Sequence, residues 1–269
     1  MRETAGPIRK VLRVLRRCAA MAFYICGCLL EYAVKLATGR RDAASRAVVL
    51  HTWSARMLRQ LNVSLSVEGT PPTQGLIVSN HLSYLDILVF SAAAPCAFVA
   101  KREVRSWPGV GWIATLAGCI YIDRSRRSAT HSIQPAIHAA LAGGSRLVLF
   151  PEGTSSDGKR LLPFRSSLLQ PAVADEAPIT AARLLYELDD GDPANDVCYW
   201  GDMALVPHAL RLFARSGVRA SLRFGARARV FTSRKEAAEK LWDEVNALGP
   251  VPRANACNTA EAGNPARSI

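Results

Sequence analysis

From residue 63 onward the chain alternates short apolar runs with polar turns and helix-length spacers, and this rhythm limits the possible folds more than any other feature. The runs are SLSVEG (64–69), GLIVSN (75–80), CAFVAK (96–101), GCIYIDR (118–124), RLVLFPEG (146–153), PITAARLLYEL (178–188) and VRASLRFG (218–225). Runs of this length suit strands, and several are apolar at successive positions, as strands covered on both faces are. Helices are expected at 84–93, 107–116, 128–142 and 234–248. Strands interleaved with helices predict an α/β class: one domain, residues 63–249, built on a mostly buried mixed sheet flanked by helices. The stretch 250–269 is rich in Ala, Asn, Pro and Gly and is expected to be disordered.

Residues 1–62 have a different texture. Arg2, Arg9, Lys10, Arg13, Arg16 and Arg17 stand against one acid, Glu3, and the greasiest run of the chain follows, CAAMAFYICGCLL (18–30). Together they predict a helix over 8–39, in which Glu31 and Lys35 sit four apart. A second amphipathic helix is expected over 42–61, with Asp42 as N-cap and apolar side chains at Val48, Val49, Trp53, Met57, Leu58 and Leu61. His51 is an ordinary residue of that helix. The uninterrupted apolar run of 13 residues is short of the ~20 needed to cross a bilayer. Three layouts remain: a helix lying in the interface, a single span with its N-terminus cytoplasmic, or a signal peptide, for which no A-x-A site follows. The interfacial helix is the leading expectation, placing the chain on the cytoplasmic face of the inner (cell) membrane.

The formal net charge of +12 favours anionic partners. Because the basic residues flank an apolar helix, that partner is a membrane surface with anionic lipids. Nucleic acid is disfavoured, since no stretch interleaves aromatics with Arg or Lys and no helix-turn-helix or finger pattern appears. The seven cysteines form no C-x-x-C pair, which points to reduced thiols in a cytoplasmic compartment.

Three of the apolar runs end in polar clusters: NHLSYLD (80–86), IDRSRR (122–127) and FPEGTSSDGKR (150–160). Ligand sites of α/β sheets form where strands end, so the three are candidates for one shared site. In the first, Ser83-x-x-Asp86 has the form of a capping box. The same residues allow a second reading, in which the turn folds His81 back onto the helix start. Asp86 then accepts from the imidazole Nδ1–H and leaves Nε2 to take a proton. The spacing by itself permits both.

Taken in order, the clusters decide more. Asn80, His81 and Asp86 form N-H-x₄-D; Lys101, Glu103, Pro108, Gly111, Gly118, Asp123 and Arg124 mark a second block; Phe150 to Thr154 read F-P-E-G-T, followed by LLPFRSS (161–167). Across residues ~75–185 the chain resembles the glycerolipid acyltransferase family that includes 1-acylglycerol-3-phosphate acyltransferases. The resemblance implies transfer of a fatty acyl group from acyl-CoA or acyl carrier protein to a lysolipid hydroxyl. It makes His81 the general base and Asp86 its partner. Asn80, Lys101, Arg124, Glu152, Gly153, Thr154 and Arg165 would contact substrate, Glu152 by holding the acceptor hydroxyl. Backbone N–H groups near the helix start would meet the oxyanion. No cofactor beyond the donor thioester, and no metal, is implied.

Two departures bear on the acceptor. The third block usually continues with an Arg associated with the acceptor phosphate, and here that position is Ser155. The fourth usually has a second Pro, where Ala181 stands. Arg165, Lys159 or Arg160 would supply the missing charge, or the acceptor lacks a phosphate. Some bacterial relatives acylate lyso-ornithine lipid, and VCYWGDMALVPH (197–208) looks like a feature of that branch. His208 and Asp202 in that segment offer a rival catalytic pair, although an apolar setting makes His208 a packed residue. His131 and His138 fall on a surface helix. Two rival functions also stand: a non-catalytic lipid-binding protein, and a serine hydrolase using Ser155 or Ser156. The chain lacks the G-x-S-x-G turn that exposes such a serine.

Overall fold

The computed structural model describes residues 6–40, 42–107, 109–122 and 129–249, without side chains at 129–132. The two N-terminal helices form as expected: α1 is Pro7–Ala37 and α2 is Ala43–Leu61. The Asp42 side chain caps α2 by accepting from Ser45 N at 2.7 Å. Glu31 accepts from Trp53 Nε1 at 2.7 Å and so ties α1 to α2. His51 is more than a passive helix residue, because its Nδ1 bonds the Ser91 carbonyl at 2.7 Å.

Each of the seven apolar runs yields a strand: β1 Val63–Glu68, β2 Gly75–Ser79, β3 Ala97–Lys101, β4 Ile120–Ile122, β5 Arg146–Leu149, β6 Ile179–Leu188 and β7 Val218–Phe224. Among the described residues they form one sheet in the order β1-β7-β6-β2-β5-β3-β4. Only the β6–β7 pairing is antiparallel, so the sheet is mixed. The expected helices appear as α3 Leu85–Ala93, α4 Val110–Leu116, α5 Ala129–Ala142 and α9 Arg234–Ala247, with a 3-10 turn at Arg102–Ser106 ahead of α4. Three further helices were not anticipated: α6 Ser166–Ala174, α7 Pro193–Asp196 and α8 Leu205–Ala214. Pro171, Pro193 and Pro207 interrupt the pattern that would announce them.

The sheet separates two apolar layers. On one face Leu50, Leu58 and Leu61 of α2 and Leu85 and Val89 of α3 share a core with Leu184 and Leu222 of the sheet. On the other, Leu169 of α6 and Leu241 of α9 pack on Leu76, Leu147 and Ile179. The N-terminal helices therefore rest on the body. Every residue of β2 is buried, as a strand with neighbours on both sides requires. β2 and β5 are adjacent and parallel, pairing Val78 with Leu149. Their C-terminal loops, 80–84 and 150–156, consequently leave the sheet side by side.

Where α1 crosses α2, Gly27 meets the Trp53 indole so closely that an added Cβ would lie 2.3 Å from the ring. A rigid ring cannot fold out of the way. Gly27→Leu is expected to lower the unfolding free energy by about 1–3 kcal/mol, read by denaturant titration.

Candidate active site

The chain turns sharply after β2. Asp86, in the first turn of α3, is fully buried, and its Oδ2 accepts from Leu82 N at 2.7 Å, from Ser83 N at 3.0 Å and from His81 Nδ1 at 2.8 Å. Tyr186 on β6 donates its hydroxyl to Asp86 Oδ1 at 2.8 Å. Four donors converge on a group that offers only acceptors when ionised. Burial, then the charge of Asp86, pushes the Tyr186 hydroxyl well above the usual phenol range, so it stays a donor. The capping-box reading is half right: Asp86 reaches back to the Ser83 N–H, but the Ser83 hydroxyl finds no partner among the described residues.

With Asp86 on Nδ1, the neutral imidazole carries its hydrogen there and exposes the Nε2 lone pair. The ring stacks on Phe150 with centroids 4.3 Å apart and planes 12° from parallel. It keeps 23% of its surface exposed. Phe150 follows β5, so the same strand adjacency that places the loops also fixes the plane of the ring.

Glu152 has a different task from the one expected. Its Oε1 accepts from His81 N at 3.0 Å and its Oε2 from Leu162 N at 3.3 Å. Both oxygens hold main chain, which clamps the two motif loops together, and the carboxylate is not presented to a hydroxyl. Ser156 N adds a bond to the His81 carbonyl at 3.0 Å. Burial raises the Glu152 carboxyl to about 7, against the pull of those N–H groups and of Arg183. Arg183 on β6 is itself buried, with Nε and Nη1 unpartnered among the described residues.

Asn80 also departs from expectation. It is buried, its amide donates to the Leu184 carbonyl at 2.9 Å, and its oxygen accepts from Leu184 N at 2.8 Å. Both ends bind β6 main chain, so Asn80 fastens β2 to β6. Lys101 lies at the end of β3, two strands from β2, where it pairs with exposed Glu103 at 3.3 Å. Arg124 lies outside the described residues. Gly153 takes a positive φ of 76°, and an added Cβ would come within 2.7 Å of Arg165 Nε. An exposed guanidinium therefore lies across the F-P-E-G turn, beside exposed Thr154. The N–H groups of Leu82 and Ser83, near the helix start, are committed to Asp86.

Ser155 donates to the Tyr199 carbonyl, and Tyr199 N donates to the Leu82 carbonyl at 2.8 Å. The 197–200 segment thus straps the two loops. Neither Ser155 nor Ser156 bonds the imidazole of His81. His208 is buried, bonded through Nδ1 to the Tyr84 hydroxyl at 3.0 Å and through Nε2 to the Cys198 carbonyl at 2.9 Å. With both nitrogens occupied it is a structural residue. His138 pairs with Asp175 at 3.0 Å, away from these loops. Tyr186 and the strap were missed from sequence because their partners lie far along the chain, 100 residues for Tyr186 and Asp86.

Below α3 lies an apolar cavity of about 440 Å³. Its walls come from α1, α2, α3, α4 and α8 and include Cys18, Met57, Tyr84, Leu88, Ile113 and Phe213. Tyr84 and Leu85 belong both to this wall and to the turn that carries His81.

Comparison with known proteins agrees with this architecture. A family model described as Acyltransferase matches residues 65–184. A lyso-ornithine lipid O-acyltransferase of Brucella abortus is 35% identical over 67% of this chain and 72% of its own. A 1-acyl-sn-glycerol-3-phosphate acyltransferase of Neisseria meningitidis is 35% identical over 57% of this chain and 60% of its own. The crystal structure of the 1-acyl-sn-glycerophosphate acyltransferase of Thermotoga maritima superposes with a TM-score of 0.65, covering 90% of this chain and 95% of that one at 21% identity. The fold is therefore that of an acyltransferase. The chain belongs to the acyltransferase family whose members include these lysolipid enzymes.

The Glu152 carboxyl titrates near 7 in the fold against 4.5 when free, so between those values the folded state binds more protons than the unfolded. Stability attributable to this group is present below about 4.5 and declines as pH rises towards about 7. Glu152→Gln is expected to flatten that dependence, measured by denaturant titration at stepped pH.

Proposed function

We propose that this chain moves a fatty acyl group from a thioester, acyl-CoA or acyl carrier protein, to the free hydroxyl of a lysolipid, with His81 as general base. The observation that carries the reading is the His81–Asp86 pair, 2.8 Å apart at a strand end, with the ring partly open to solvent. Nε2 takes the proton of the acceptor hydroxyl as its oxygen attacks the thioester carbonyl. Asp86 steadies the imidazolium that results. As the tetrahedral intermediate collapses, the carbon–sulfur bond breaks and the thiolate leaves with that proton. A base so placed contributes about 10²–10⁴-fold. The acyl chain occupies the apolar cavity below α3, whose volume suits a small-molecule site. No cofactor and no metal enters the scheme.

The acceptor we favour is 1-acylglycerol-3-phosphate. Position 155 lacks an arginine, but the Arg165 guanidinium lies across Gly153 and offers a planar fork to a phosphate at the same turn. Thr154 and Gly153 line the acceptor side of that turn. A second reading, lyso-ornithine lipid, is supported by the Ser155 bond to the Tyr199 carbonyl, which fills position 155 with protein contacts, and by the Brucella relative. The reaction takes place at a membrane surface carrying anionic lipids. α1 lies in the interface, because one side of it is buried against the body at Arg17, Cys28 and Tyr32. Its basic residues set the body on the cytoplasmic face.

The test offers labelled acyl-CoA and acyl carrier protein to both lysolipids side by side. His81→Ala should lose at least about 10²-fold in transfer while keeping its circular-dichroism spectrum, and near-normal turnover would refute the base assignment. Tyr186→Phe unpairs one oxygen of Asp86. It should slow transfer about tenfold, equivalent to ~1.4 kcal/mol in the barrier, with little change in KM.

A further inference from the structure

The cavity below α3 is not closed on all sides. Ala22 of α1 and Val206 and Leu210 of α8 line it, yet Val206 is 66% and Leu210 42% exposed, and Ala22 is exposed as well. Residues that face both the cavity and the outside form its rim. The opening therefore lies between α1 and α8.

What surrounds that opening is apolar. Along α1 the exposed large side chains are Ile8, Leu12, Leu15, Phe23, Leu30 and Val34 among others, spaced so that they fall on one side of the helix. Ala22 follows Leu15 by seven residues, about two turns, and so stands in the same stripe. The rim is continuous with an exposed apolar stripe that runs along α1 from Ile8 to Val34.

α8 is fastened to this face. Arg13 donates to the Ala214 carbonyl at 2.9 Å, and Arg17 to the carbonyls of Phe213 at 2.9 Å and Arg215 at 2.6 Å. Two cations of α1 thus cap the C-terminal end of α8, where the helix dipole favours positive charge. Arg17 is only 2% exposed, so the joint is a packed one. Around the stripe, residues 6–30 carry Arg9, Lys10 and Arg16 and no acid, and Arg211 is exposed on α8. Apolar side chains bordered by arginine and lysine match the acyl region and headgroups of an anionic bilayer.

We propose that the gap between α1 and α8 is a lateral portal, immersed in the bilayer, through which lipid acyl chains pass directly between membrane and cavity. Val206 and Leu210 sit among lipid chains at its threshold, so α8 is a second membrane-contacting element beside α1. The physical reason is the cost of the alternative. An acyl chain leaving through an aqueous mouth exposes its methylenes to water, and a mouth that opens into lipid removes that cost. The portal rests on the acyltransferase reading for its purpose, but its geometry is testable without turnover.

The full chain is bound to phosphatidylglycerol-containing vesicles doped with a diacyl phospholipid bearing a diazirine midway along one chain. It is then irradiated and mapped by peptide mass spectrometry. Adducts are expected on the α1 stripe and on the 205–214 peptide, each in several-fold excess over the 234–247 peptide, which covers the opposite face of the sheet. Labelling of α1 alone, with 205–214 no higher than 234–247, overturns the portal. So does a cross-linked dimer with no lipid adduct on α8, which would make this face a contact between copies. Thiol release from acyl-CoA is followed separately on the same vesicles. Its absence beside labelled α8 would sink the acyltransferase proposal and leave the portal standing.

Discussion

The site depends on the Asp86 carboxylate. It lies at the start of α3, fully buried, and four donors from three parts of the chain meet on it: the turn main chain, the His81 ring and the Tyr186 hydroxyl of β6. Burying a carboxyl group is costly unless its oxygens are hydrogen-bonded, and here both oxygens are. The same bonds shape the turn. Remove the carboxylate and the two N–H groups of Leu82 and Ser83 lose their acceptor, so the loop that carries His81 would have no reason to curl back. Helix start, loop shape and ring orientation are consequences of one interaction.

Around that centre, the second motif acts as scaffold. Glu152 receives the His81 N–H, Phe150 supports the imidazole, and Ser155 and Tyr199 strap the loops from the far side. Asn80 pins the end of β2 to β6 by a two-way bond with Leu184. Precise placement of a reacting group needs neighbours that are themselves locked, and here nearly every polar atom beside His81 is spent on main chain. What is left open is the outer side of the ring and the Arg165-covered turn at Gly153.

The N-terminal helices pack on the body with one apolar side left outward. α1 packs one side against the body, with Tyr32 bonded to the Arg46 carbonyl and Trp53 to Glu31, and leaves the other side apolar. α1 is held to the body through contacts with α2 and α8. Its length and hydropathy alone admit both an interfacial and a spanning arrangement.

The seven strands and six of the helices were legible in the sequence because they depend on local periodicity and on runs of β-forming residues. The meeting of His81 and Asp86 was legible as one of two readings that the spacing allowed, and the ordered motifs favoured it. The sequence also determined, through its ordered motifs, the family to which the chain belongs. Tertiary structure alone decided what Glu152 and Asn80 hold, that Tyr186 touches Asp86, and that α8 closes one side of the cavity. Those contacts join segments 71 to 104 residues apart through the pairing of β2 with β5 and β6. No spacing along a chain encodes which strands become neighbours, because that choice is made by the packing of the whole sheet.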